Sequence, residues 1–98
     1  MSNKKLLKFG AAWCGPCKFQ DKILEEIKEE HPELDITLIN VDSEDGEMLA
    51  EKHGVKNIPA IIIFDADGDE QERFTGLTQK KVLLEAMGCA EKEESKEE

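Results

Sequence analysis

Hydrophobic positions change their period several times along this chain, and each change predicts a boundary. Leu6, Leu7 and Phe9 cluster with little alternation, which predicts a short strand over Lys5–Ala11 covered on both faces. From Cys17 to Glu30 the period becomes helical. Phe19, Ile23 and Ile27 recur at four-residue spacing with Leu24 beside them, while Asp21, Glu25, Glu26 and Lys28 take the other face. His31-Pro32 ends that helix, because the residue before a proline is pushed out of the α region. Ile36–Val41 reads as a second strand, buried and, after a helical crossover, parallel to the first.

Ser43–His53 reads as a short helix, with Glu44, Asp45 and Glu47 in its first turn, Lys52 and His53 in its last, and Gly54 just beyond. Ile58-Pro59 precedes Ala60–Phe64, a run of strong β propensity. Asp65–Asp69 is a hairpin loop leading to a polar edge strand over Glu70–Phe74. After Gly76 comes a last helix, with Thr78 predicted as its N-cap, Leu77 and Val82 as a hydrophobic staple, and Leu83, Ala86 and Met87 as its buried stripe. The order is β-α-β-α-β-β-α, an α/β class.

The 98 residues suffice for one domain, placed at 1–90, followed by an acidic tail over 91–98. A net charge of −10 argues against nucleic acid, which requires a basic face, and against an anionic membrane surface. Three cysteines cannot all pair within the chain, so a disulfide-stapled secreted miniprotein is excluded. No signal peptide and no run of transmembrane length is readable, and a cytoplasmic monomer is expected.

The chemistry concentrates in Trp13-Cys14-Gly15-Pro16-Cys17. Two thiols at this spacing, at the start of a helix, come within bonding reach of one another. Gly15 is expected to give the turn freedom, and Pro16 to suit the first helical turn. Cys14, at the helix N-terminus, is favoured as a thiolate by unpaired N–H groups and the macrodipole. Cys17, one turn further in, is the more shielded and the natural resolving thiol. A zinc site would require two further ligands, and Cys89, His31 and His53 are not spaced to supply them, so no metal is expected. Asp65, Asp67 and Asp69 lack the glycine and distal glutamate of a calcium loop. Cys89 reads as a small helix-end residue.

Trp13–Lys18 resembles the active-site segment of thioredoxins, and Gly54–Ala60 resembles their cis-proline segment. Asn40-Val41-Asp42 and Gly76 match in character and order. The resemblance runs from Leu6 to Met87 and implies a minimal thioredoxin fold, a four-stranded mixed sheet flanked by three helices. It implies Cys14 as nucleophile and Cys17 as resolving thiol, cycling between dithiol and disulfide with no bound cofactor. Trp13, Gly15 and Pro16 would shape the rim, and Pro59 would be cis against the sulfurs. Ile58 would offer backbone hydrogen bonds to an extended substrate, and Gly76 would leave it room. The implied activity is reduction of disulfides in client proteins, recycled by an NADPH-dependent flavin reductase. Glutathione coupling of the glutaredoxin type, or a non-catalytic binding module, are the alternatives.

Three departures stand out. Thirteen residues precede Cys14, too few for the family's additional N-terminal strand and helix. Gly10 stands where the family has a second tryptophan. Lys8 stands where it has a buried aspartate, and that aspartate's lysine partner falls on Leu38. Lys8 is therefore a candidate modulator of thiol ionisation, expected to snorkel or to be partly neutral.

Overall fold

The computed structural model describes residues 4–89; the tail predicted over 91–98 lies outside the described residues. The elements are β1 (Lys5–Gly10), α1 (Gly15–Glu30), β2 (Asp35–Asn40), α2 (Glu44–Lys52), β3 (Ala60–Phe64), β4 (Glu70–Thr75) and α3 (Lys80–Ala86). They form one sheet of order β2-β1-β3-β4, in which β1 runs parallel to β2 and antiparallel to β3. β3 and β4 are antiparallel. The predicted order of elements and the four-stranded mixed sheet are both present.

The apolar runs in β1 and β3 follow from their central place, since both sheet faces are covered. Leu6, Ile61 and Ile63 meet Leu24 and Ile27 of α1 and Leu83 and Leu84 of α3. On the opposite face, Leu7, Phe9, Ala60 and Ile62 meet Leu49 and Ala50 of α2. Each fully buried side chain of this size contributes about 1.5–3 kcal/mol relative to exposure. Ser43 caps α2: its hydroxyl oxygen accepts from the Gly46 N–H at 2.9 Å.

Three expectations fail. β2 is a sheet edge rather than a buried strand; only Ile36 on it is fully buried, and Leu38 is 47% exposed. An apolar run shows β preference but not how many neighbours the strand has. On α1 the buried stripe is Cys17, Gln20, Leu24 and Ile27, whereas Phe19 is 62% exposed. A polar residue thus holds a core position that the hydrophobic pattern assigned to its neighbour. The start of α3 also differs. Gln79 occupies the N-cap without a side-chain bond, Thr78 donates its hydroxyl to the Gly76 carbonyl at 3.0 Å, and the exposed Leu77 and Val82 form no buried staple.

Candidate active site

β1 delivers the chain to the start of α1, and Cys14 is that helix's N-cap. Its backbone is extended, with φ −92° and ψ 110°, and its sulfur accepts the Cys17 N–H at 3.2 Å. Pro16 sits in the first turn, where its missing N–H leaves no helical bond unmade. The sulfur therefore faces the positive end of a 16-residue helix. Gly15 is itself the first helical residue and has no positive φ, so the turn freedom expected of it is not used. A Cβ there would meet nothing within 4 Å, which leaves this part of the rim bare.

Cys14 and Cys17 are joined in a disulfide, with Cα atoms 5.3 Å apart. Cys14 is 6% exposed and Cys17 1%, so the order of shielding is as predicted although both residues are buried. Ala11, Val41 and Ile58 pack around the pair. Trp13 is exposed beside it and donates its indole N–H to Asp42 at 2.8 Å. The Ile58–Pro59 peptide bond is cis, and Pro59 is fully buried. The Pro59 carbonyl accepts the Gly76 N–H at 2.8 Å, which ties the end of β4 to this segment. Gly76 has φ +94°, a left-handed backbone that favours glycine whatever the space around it, and that space is open. The fold thus brings together Trp13, both cysteines, Ile58, Pro59 and, through its bond to Pro59, Gly76.

Lys8 does not snorkel. It is 4% exposed, and its ammonium lies 2.7 Å from Asp21 Oδ1 in an ion pair that is not a well-directed hydrogen bond. Gly10 makes this possible. A Cβ at Gly10 would overlap Lys8 Nζ, stand 2.9 Å from Cε and 3.0 Å from Cys17 Sγ. Amine and Cys17 sulfur therefore border the same small space. The sequence reading missed Asp21, whose only signal was its place one helical turn beyond Cys17.

Gln20 was also missed. Its Nε2 donates to the Thr78 carbonyl at 3.0 Å and its Oε1 accepts the Thr78 N–H at 2.8 Å, with both residues buried. This amide fastens α1 to the segment between Gly76 and α3. Such a role requires a partner distant in sequence, which the periodicity of α1 does not show.

At the far end of α1, donor atoms of His31, Glu33 and Cys89 lie within 4.8 Å of one another, a grouping hidden by their sequence separation. Burial first, then Glu33, pushes the Cys89 thiol up, and Lys4 opposes that shift. Asp65, Asp67 and Asp69 also group, but Asp65 Oδ1 accepts the N–H groups of Asp67 and Asp69 at 3.0 Å each, the bonding of a turn. A cavity of about 530 Å³, lined by Leu7, Ile39, Leu49, His53 and Phe64 among others, opens towards the end of β1 opposite the cysteines.

The thioredoxin family model matches residues 1–88. The chain belongs to the thioredoxin family. It is 40% identical over 82 residues to the thioredoxin of Chlamydia trachomatis, which covers 84% of this chain and 78% of that protein. To the thioredoxin of Staphylococcus epidermidis it is 36% identical over 87 residues, 88% of this chain and 81% of that one. The crystal structure of Fasciola hepatica thioredoxin superposes with a TM-score of 0.77 at 30% identity, covering 88% of this chain and 79% of that chain. This thioredoxin is a thiol–disulfide oxidoreductase of the protein disulfide reductase class, and its Cys14 and Cys17 form the redox disulfide. Among the described residues, no helix is long and apolar enough to cross a membrane.

Proposed function

We propose that this thioredoxin reduces disulfides of client proteins with Cys14 as nucleophile and Cys17 as resolving thiol. The observation that carries this assignment is the position of the Cys14 sulfur: it caps α1, accepts an N–H, and has Cys17 one turn behind it. A helix N-terminus favours the thiolate, which is the attacking species. Cys14 attacks an exposed disulfide and forms a mixed disulfide. Cys17 then displaces the client as a thiol and closes the Cys14–Cys17 bond. Trp13, Gly15 and Pro16 form the rim against which the client rests. The Ile58 backbone, held at the sulfurs, pairs with an extended client segment, and the open space beside Gly76 admits it.

The protein works as an electron carrier and a monomer in a reducing, cytoplasmic compartment. An NADPH-dependent flavin thioredoxin reductase returns Cys14 and Cys17 to the dithiol. Acidity of the chain as a whole, −10, supports this reductase over glutathione, whose carboxylates would favour a basic rim. Turnover with glutathione and glutathione reductase, but not with a flavin reductase and NADPH, would overturn that choice. For the cysteine roles, the test is Cys17→Ser. It is expected to accumulate Cys14-linked mixed disulfides in a lysate, and a lysate with no such adduct would reject them.

A further inference from the structure

Cys17 is the more deeply buried of the two sulfurs, packed among Ala11, Val41 and Ile58. Its thiolate, required in the resolving step, cannot draw on a full water shell, and an uncompensated anion there would be costly. Lys8 from β1 and Asp21 and Lys18 from α1 line a cavity that also borders Gly10, and Asp42, beyond β2, bonds the indole of Trp13, the residue before Cys14. Lys18 is exposed, and Asp42 is engaged by the Trp13 indole. Among the described charged residues, Lys8 alone is buried, and it is adjacent to the sulfur because Gly10 lacks the Cβ that would fill the space they share.

We propose that the Lys8 ammonium is the counter-charge of the Cys17 thiolate, and that Asp21, its ion-pair partner, limits its strength at the sulfur. This rests on the reading of Cys17 as the resolving thiol. Asp21 is 35% exposed and Lys8 4%, so water screens the carboxylate more than the ammonium. The ammonium, which borders the same space as the sulfur, is the less screened of the two charges. When a client is bound through Cys14, the Cys17 thiol gives its proton to water. A cavity of about 270 Å³ lined by Lys8, Gly10, Lys18, Asp21 and Asn40 opens at Gly10, the residue whose missing Cβ leaves space beside the sulfur. The thiolate attacks the Cys14 sulfur, and the Cys14–Cys17 bond forms as the Cys14–client bond breaks. The electron pair leaves on the client sulfur, which takes a proton from water. The client is reduced and the cysteine pair oxidised.

The test uses the full chain carrying Cys14→Ser, with the pH profile of Cys17 alkylation followed by peptide mass so that Cys89 is read separately. Lys8→Met is expected to raise the midpoint by about one pH unit or more, the size of effect of an adjacent opposite charge. Asp21→Asn is expected to lower it, since it leaves the ammonium uncompensated. Opposite shifts are what general loosening of the site would not give. Midpoints that stay in place, or that move in the same direction, overturn the proposal. Should Lys8→Met fail to fold, Asp21→Asn at its partly exposed site decides alone: a lowered midpoint supports the proposal, an unmoved or raised one overturns it. Insulin-disulfide reduction by the unsubstituted protein is scored separately. Its absence would reject the Cys14/Cys17 cycle itself, whereas its presence with unmoved midpoints would reject only the counter-charge.

Discussion

At one end of α1, Cys14 accepts a backbone N–H and faces the positive pole of the helix; near the other, Cys89 lies beside Glu33 and the C-capping His31. Both are cysteines packed partly against apolar side chains, but they meet opposite poles of the helix and different charged neighbours. The first end, a helix N-terminus, is the pole that favours an anion. At the second, burial and a carboxylate push the thiol up, and the negative pole of the helix adds to that trend. Reactivity thus follows from which end of a helix a sulfur occupies and what charge faces it, rather than from burial alone.

The largest effect that would break this contrast lies in catalysis. Cys14→Ser should reduce insulin-disulfide reduction to the uncatalysed rate, while Cys89→Ser leaves it unchanged. Comparable losses from both would show that the two ends are not distinct. Next comes stability. Gln20→Leu removes an amide whose two ends both bond Thr78 and leaves a buried N–H and C=O unpaired. The expected cost is about 2–4 kcal/mol, read as a lower midpoint in urea unfolding. A variant as stable as the parent would remove Gln20 from the support of the N-terminal end.

The smallest effect concerns Cys89. Glu33→Gln should lower the pH midpoint of Cys89 alkylation, but burial, the larger cause, should keep it above that of the unfolded chain. The sign for stability follows from the raised value. Folding favours the protonated thiol, so this contribution is complete below the ionisation range of an unfolded cysteine. It is lost as pH rises through the folded-state value. A Cys89 midpoint equal in folded and urea-unfolded protein would contradict it.

Much of the reactive end was legible because its signals are local. Trp13–Cys17 carries the thiol spacing, the proline and the helix start within five residues, and Ile58-Pro59 stands directly before a β-run. What escaped depends on contacts between distant segments. Gln20 looks like a solvent residue until Thr78 supplies both bonding partners. Asp21 reads as the polar face of α1 until β1 brings Lys8 against it. His31, Glu33 and Cys89 are assembled by α3 returning along α1. The exposed Phe19 and Leu38 show the reverse error, since hydrophobicity identified their elements but not which faces had neighbours.

The Gln20 amide has a mechanical consequence. By giving and taking one bond with the backbone of a single residue, Thr78, it behaves like a rung of a β-ladder inserted between a helix and a loop. Sliding α1 along that loop would break both bonds together. The cysteine helix and the segment that follows Gly76 are thereby locked in step before any client arrives.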